Sequence, residues 1–169
     1  MDPIAVEQSS ENLGQLYERH SPRAFRLAFL LTGDRDAAED LVQDAFVKLI
    51  GRFADLRRSE SFEAYLTRTV VNLSYGMFRR RRVERTYLDR ERTARTPMVD
   101  KLPNIEERDR LLTQLQAIAP RQRAALVLRY YEDLSEEQAA NVLGCSLRTV
   151  KSLVTRGMQA MRGQQEDEL

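Results

Sequence analysis

Apolar residues recur along this chain at steps of three and four, and no stretch alternates steadily between apolar and polar positions. The first pattern puts apolar side chains on one stripe of an α-helix, whereas alternation is typical of a half-buried strand. One such stripe follows Asp34 and consists of Ala38, Leu41, Val42, Ala45, Phe46, Leu49 and Ile50. The pattern predicts an all-α protein.

The N-terminal half contains three such segments. The first ends at Gly33, a residue favoured just after a helix, and Ser21-Pro22 predicts a kink or an interruption within it. The third runs to about Arg82 after a loop. Its apolar stripe is Phe62, Leu66, Val70, Leu73 and Met77. Three helices that share apolar faces form a small bundle, which we assign to residues 1–82.

The next segment, residues 83–104, has no sustained apolar period and contains Pro97 and Pro103, so we expect a flexible linker. Apolar segments then flank Pro120, which stands where proline favours a helix start. Two small helical domains, residues 1–82 and 105–169, are the predicted organisation.

The second domain contains the spacing of a helix-turn-helix. Ser135 and Gln138 form a capping box, Gly144 permits a tight turn with positive φ, and Ser146 can cap the last helix. The predicted buried stripe of that helix is Leu147, Val150, Val154, Met158 and Met161.

The opposite side of the last helix, here called the recognition face, carries residue types that contact phosphates and base edges in a major groove. Its members are Arg148, Thr149, Lys151, Ser152, Thr155 and Arg156. The spacing therefore favours duplex DNA binding, and the alternative is an ordinary helical hairpin with a solvated basic side.

Charge divides these segments further. The chain of 169 residues has 27 basic and 26 acidic side chains, a net charge of +1. Residues 34–44 nevertheless hold a net −4, residues 79–95 a net +5 and residues 147–162 a net +4. Segregation of this kind indicates one acidic and two basic working surfaces.

The first basic surface, here called the aromatic–arginine face, lies opposite the apolar stripe of the third helix. Its members follow at helical steps: Tyr65, Arg68, Asn72, Tyr75, Arg79 and Arg82. Rings stack on unpaired bases and arginine follows the phosphate backbone, so this composition is typical of single-strand binding. The alternative is that the tyrosines pack partly into the core and that the run Arg79 to Arg82 is a solvated helix end.

The acidic face projects from the second helix and consists of Glu39, Asp40, Gln43 and Asp44. Acidic side chains repel DNA, and complementary charge steers protein association, so a basic protein partner is one interpretation. The other is a solvated surface whose Asp34 and Asp36 stabilise the helix N-terminus.

Composition excludes several classes of function. One cysteine and one histidine cannot assemble a disulfide framework or the usual zinc and histidine-dependent hydrolase sites. No apolar run reaches the ~18 residues of a membrane span, and the start of the chain lacks a signal-peptide pattern. We therefore expect a cytoplasmic protein without membrane insertion, cofactor, metal or catalytic residues.

Two blocks of sequence resemble the extracytoplasmic-function sigma factors of bacterial RNA polymerase. Residues 38–46, followed by Phe62, Tyr65-Leu66 and Asn72 to the arginine run, are similar to region 2 of that family. Residues 115–162, with the motifs at 134–140 and 149–152, are similar to region 4. Both blocks stand in the family's order and are joined by a linker.

The resemblance implies a role for each surface. The acidic face matches the part that docks on the coiled coil of the beta-prime subunit, and the second domain matches one that rests on the beta flap. The recognition face matches the helix that reads the minus-35 element of promoter DNA. The part that melts and holds the minus-10 element corresponds to Phe53, Arg57, Arg58, Tyr65, Arg68, Asn72, Tyr75, Arg79, Arg80 and Arg82.

Family members are often held inactive by an anti-sigma factor, so such a protein is a possible partner. The main alternative is a helix-turn-helix regulator whose N-terminal bundle serves dimerisation or sensing. That alternative leaves the aromatic–arginine face and the acidic face without a joint explanation.

Overall fold

The computed structural model describes residues 12–52, 62–88 and 105–167, and within these ranges the regular elements are helices. The predicted all-α class is confirmed. Three helices form the N-terminal bundle: α1 Leu13–Thr32, α2 Arg35–Ile50 and α3 Phe62–Leu88. The C-terminal domain contains α4 Ile105–Ala117, α5 Pro120–Leu126 with a π-helical continuation Val127–Tyr131, α6 Glu136–Leu143 and α7 Leu147–Asp167.

Helix α1 begins and ends at capping residues. At its start, the Asn12 side chain accepts from the Gln15 N–H, and the Gln15 side chain accepts from the Asn12 N–H. At its end, Gly33 stops the helix with a φ of 67°. The predicted interruption at Ser21-Pro22 is absent, because α1 is one helix through Pro22. Proline removes one hydrogen bond, but packing of an apolar face provides most of a helix's stability in proteins.

Helix α3 continues to Leu88 and thus includes the first six residues of the predicted linker. Residues 83–88 lack an apolar stripe, as the exposed Val83 shows. They also contain neither proline nor glycine. Helix propensity and continuity with the preceding turns are therefore sufficient to extend α3 into a segment that periodicity alone had assigned to the linker.

The local signals of the C-terminal domain are confirmed. Pro120 opens α5, Ser135 and Gln138 form the capping box of α6, and Gly144 closes α6 at φ 63°. The Ser146 hydroxyl accepts from the Thr149 N–H at the start of α7. One member of the predicted buried stripe is wrong: Leu147 is 36% exposed, because it lies in the first turn before α7 reaches its neighbours.

The two domains share one continuous core. Leu27 and Leu31 of α1 and Val70 of α3 belong to the same buried cluster as Leu128 and Val150 of the C-terminal domain. Helix α3 packs against α6, and α1 packs against α4 and α5. The described residues therefore form a closed arrangement.

Arg123 lies at the centre of this arrangement and bonds to both domains. Its guanidinium is buried and donates to the carbonyls of Leu115, Gln116 and Ile118 around the end of α4, and to that of Leu31 at the end of α1. Helix C-termini leave carbonyls without intrahelical partners and carry partial negative charge, so a buried cation is satisfied there without a carboxylate. Burial lowers the pKa of Arg123 to about 10, which leaves it charged at neutral pH.

We expect Arg123→Met to lower the free energy of unfolding by at least about 3 kcal/mol, because several buried carbonyls lose their donor at about 1–3 kcal/mol each. Chemical denaturation of the full chain measures this. The matched control is Arg108→Met on the exposed side of α4, expected to change stability by less than about 0.5 kcal/mol. Equal effects of the two substitutions would contradict the assigned role.

Candidate functional site

The acidic face is exposed as predicted. Glu39, Asp40, Gln43 and Asp44 all project from α2, whose opposite side is buried through Ala38, Leu41, Val42, Ala45, Phe46 and Leu49. Asp34 caps the helix by accepting from the Ala37 N–H at 3.1 Å. Arg35 forms an ion pair with Glu39 at 3.6 Å between Nε and Oε1. Asp34 and Arg35 thus have local partners, and the three acids and one amide of the face are exposed to solvent.

An apolar groove beside the acidic face was not predicted. It has a volume of about 570 Å³ and lies between α1 and α2. Its lining residues are Leu13, Gly14, Tyr17, Glu18, Gln43, Phe46, Val47 and Ile50. Ile50, expected in the buried stripe, is 49% exposed and Val47 is 66% exposed, because both line this open groove. The groove shares Gln43 with the acidic face, so charge and apolar surface are contiguous.

The recognition face lies along the first three turns of α7. Arg148, Lys151, Thr155 and Arg156 are exposed, whereas Thr149 and Ser152 are half-buried. The Thr149 hydroxyl is 2.8 Å from that of Ser146 and belongs to the cap. Lys151 pairs with Glu136 of α6 at 3.6 Å, which ties the two helices of the motif together. The structure therefore brings all six predicted residues together on one element.

The aromatic–arginine face is divided. Tyr65, Asn72, Arg79, Arg80 and Arg82 are exposed on α3. Arg68 is exposed as well, and its guanidinium donates to the Asn141 carbonyl of α6. By contrast, Tyr75 is half-buried against the shared core. Phe53, Arg57 and Arg58 lie outside the described residues.

A second stripe on α3 explains this division. Arg68, Val71, Tyr75 and Phe78 follow at steps of three and four, and they face the C-terminal domain. Val71 is fully buried, and the Arg123 guanidinium lies over the Phe78 ring at 5.1 Å from its centroid. The helical spacing of Val71, Tyr75 and Phe78 could have indicated a second buried side of α3. It was missed because the same helix carries another apolar stripe.

Burial also changes the chemistry of Tyr75. Loss of solvation raises the pKa of Tyr75 to about 12, the nearby Cys145 acts in the same direction, and the positive charge of Arg121 opposes it. Both neighbours belong to the C-terminal domain. The Tyr75 hydroxyl is therefore a marker of the contact between the domains.

The described part of the chain was also searched for metal sites and membrane-spanning helices. Residues 12–52, 62–88 and 105–167 contain no group of histidine, cysteine and acidic side chains that could hold a metal ion. None of the helices described is long and apolar enough to cross a membrane.

Two family models match the chain. Sigma-70 region 2 matches residues 16–84, and sigma-70 region 4 matches residues 108–161. A "RNA polymerase sigma-E factor" of Streptomyces coelicolor is 34% identical over 137 residues, covering 81% of this chain and 76% of that protein. The chain belongs to the extracytoplasmic-function sigma factors. It is thus a factor for promoter-directed transcription initiation.

Further relatives agree with this membership. The "ECF RNA polymerase sigma factor SigE" of Mycolicibacterium smegmatis is 37% identical over 166 residues, and the chain spans 95% of its own length but 64% of that relative's. The sigma factor RpoE of Bartonella quintana, solved in complex with the anti-sigma factor NepR, has a TM-score of 0.72 at 24% identity, with 93% of this chain and 98% of that chain covered. The latter likeness establishes a common fold.

The raised pKa of Tyr75 leads to a prediction for this sigma factor. A folded-state pKa above the ordinary value of 10 means that the stabilisation from a neutral Tyr75 is complete below pH 10 and is lost as the pH rises through about 12. Ultraviolet titration of tyrosinate should therefore show one component that ionises near pH 12, and Tyr75→Phe should remove it. Loss of the same component in Tyr130→Phe, an exposed control, would contradict the assignment.

Proposed function

We propose that this sigma factor divides initiation among three surfaces: the acidic face docks on core polymerase, the aromatic–arginine face holds the opened minus-10 strand, and the recognition face reads the minus-35 element. The observation that carries this proposal is the separation of charge. The acidic residues lie on α2, whereas the basic residues lie on α3 and α7. In this proposal residues 1–82 perform the first two tasks and residues 105–169 the third.

Docking on core polymerase combines charge with apolar contact. The acidic face is exposed and borders the groove with Tyr17, Val47 and Ile50. Opposite charge steers encounter and fixes register, while a buried apolar centre provides most of the affinity of an interface. The expected partner is the coiled coil of the beta-prime subunit, and the C-terminal domain rests on the beta flap.

Promoter DNA meets the two basic surfaces. Arginine and lysine on α7 release counterions from the duplex, so binding at the minus-35 element weakens steeply with salt. Opening the minus-10 element must overcome stacking of about 1.4 kcal/mol per base-pair step. Capture of a base on a ring returns about 1–3 kcal/mol. Tyr65 and Asn72 are exposed together on α3 and can provide the ring and the amide.

The catalytic work belongs to the polymerase in this account, so the sigma factor contributes no enzymatic step, cofactor or metal of its own. Its targets require a cytoplasmic location. An anti-sigma factor is a further partner to test, since the RpoE chain of similar fold was solved with one bound.

Run-off transcription with purified core polymerase tests the proposal as a whole. Specific initiation that depends on this protein alone supports it, whereas a requirement for another sigma factor would favour the helix-turn-helix regulator.

Reversal of charge on the acidic face should weaken polymerase binding. We expect the double substitution Glu39→Lys and Asp40→Lys to lower the affinity for core polymerase at least about tenfold, because complementary charge becomes repulsive. Biolayer interferometry measures this. The control reverses Glu106 and Glu107, an exposed acidic pair on α4. Undiminished affinity in the first variant would exclude this docking surface.

Truncation of Asn72 should impair promoter opening and spare polymerase binding. We expect Asn72→Ala to destabilise the open complex by about 1–3 kcal/mol, because the captured base loses its hydrogen-bond partner. Permanganate reactivity of unpaired thymines measures opening, and Gln159→Ala on α7 serves as the control for an exposed amide. Unchanged reactivity in Asn72→Ala would remove this residue from the minus-10 site.

A further inference from the structure

An ion pair joins the two helices of the helix-turn-helix within the recognition face. The Nζ atom of Lys151 on α7 lies 3.6 Å from Oε2 of Glu136, the first residue of α6. The two side chains are 59% and 38% exposed, respectively. An ion pair that is this open to solvent contributes little to the free energy of unfolding. Its larger effect is therefore on what the Lys151 ammonium group can bind.

Glu136 has a fixed place that does not depend on this ion pair. The Ser135 hydroxyl accepts from the Gln138 N–H at 3.1 Å, and the Gln138 side chain accepts from the Ser135 N–H at 2.8 Å. On the other side of α6, Ala139 and Leu143 are buried. The capping box and the buried side hold the first turn of α6, so the Glu136 carboxylate is presented to Lys151 by a rigid element.

Acidic charge at this position opposes binding to phosphates. In complexes of helix-turn-helix proteins, the first helix crosses the DNA backbone and the second lies in the major groove. The first turn of α6 contains two acids, Glu136 and Glu137, whereas residues 147–162 of α7 contain none. Phosphates attract the basic side chains of α7 and repel the acids of α6. Lys151 is the member of the recognition face that is paired with one of these acids.

The ion pair affects base contacts and phosphate contacts differently. A lysine ammonium group has three donors on a flexible stem. With one donor directed to Glu136, two remain for the O6 and N7 acceptors of a guanine in the major groove. A contact of Lys151 with a phosphate instead brings that phosphate close to the Glu136 carboxylate. The pair thus penalises the contact that carries no sequence information.

We infer that Glu136 is a positioning residue for duplex recognition: its carboxylate restrains the Lys151 ammonium group from the phosphate backbone and thereby lowers the affinity for DNA of arbitrary sequence. This inference rests on the proposed role of the recognition face. Glu136 itself contacts no base in this account and acts through Lys151.

Glu136→Gln in the full-length chain tests the inference, because glutamine keeps the size of the side chain and removes its charge. Fluorescence anisotropy with a random-sequence duplex should show affinity about two- to fivefold higher, the range for loss of an exposed ion pair. The plot of log affinity against log salt concentration should steepen by about 0.9, the value for one additional phosphate contact. Glu137→Gln is the matched control, since it removes the same charge from the same turn at an exposed position. We expect its salt slope to stay unchanged.

Lys151→Met separates positioning from a general effect of charge. In a Lys151→Met background, Glu136→Gln should no longer raise the affinity or steepen the salt dependence, because no ammonium group is released. An equal gain with and without Lys151, or an equal steepening in Glu137→Gln, would overturn the inference.

The same measurements distinguish this inference from the proposed function. If Lys151→Met weakens binding to the duplex but Glu136→Gln produces no gain, the positioning role alone is wrong. If Lys151→Met leaves duplex binding unchanged, the proposed role of Lys151 in the recognition face fails, and the inference fails with it. Far-UV circular dichroism verifies that each variant stays helical.

Discussion

The buried guanidinium of Arg123 is the interaction on which the closed structure depends. Two helices, α1 and α4, end beside this side chain with carbonyls that have no partner inside their own helix. Arg123 donates to carbonyls at both ends and lies over the Phe78 ring of α3. A single side chain thereby satisfies two helix termini and joins the C-terminal domain to the N-terminal bundle. Neither domain could replace this donor with solvent without exposing the surrounding apolar cluster.

Formation of this centre constrains the surfaces around it. The π-helical turn Val127–Tyr131 delivers Glu132 to the interior, where it meets Arg23, and leaves Tyr130 exposed. The same packing draws Arg68 and Tyr75 towards α6 and leaves Tyr65 and Asn72 in solvent. The acidic face and the recognition face are unaffected, because α2 and the start of α7 present them on the outside. The packing of the two domains therefore changes the surroundings of one of the three predicted surfaces only.

The sequence predicted local structure correctly where a single residue determines the backbone geometry around it. Gly33, Ser135 and Gly144 act through local backbone geometry, and all three were predicted correctly. Of the kink or interruption predicted at Ser21-Pro22, the interruption is absent, because packing partners distant in sequence compensate for the missing hydrogen bond. Leu147 and Ile50 follow the apolar period but are exposed, because Leu147 lies in the first turn of α7 and Ile50 lines the open groove between α1 and α2. Their exposure depends on how the helices pack in three dimensions.

For the candidate surfaces too, the sequence predicted local grouping but not contacts between distant residues. Helical spacing grouped the acidic and recognition residues correctly on α2 and α7, although their binding roles stay predictions. It also placed Arg68 and Tyr75 on one face with Tyr65 and Asn72. Arg68 finds its acceptor, the Asn141 carbonyl, 73 positions further along the chain, and no local pattern indicates a contact of that separation. The arrangement of the two domains, left open by the sequence, decides which residues are accessible.

The central claim is that the two domains of the free chain pack into one closed arrangement around Arg123. The most direct test is the distance between spin labels at Lys48→Cys on α2 and Gln159→Cys on α7, in a Cys145→Ser background, measured by pulsed electron resonance. We expect one narrow distance distribution for the free chain, and a broader one with longer distances in Arg123→Met. A broad distribution in the unsubstituted chain, or a distribution that Arg123→Met leaves unchanged, would contradict this claim.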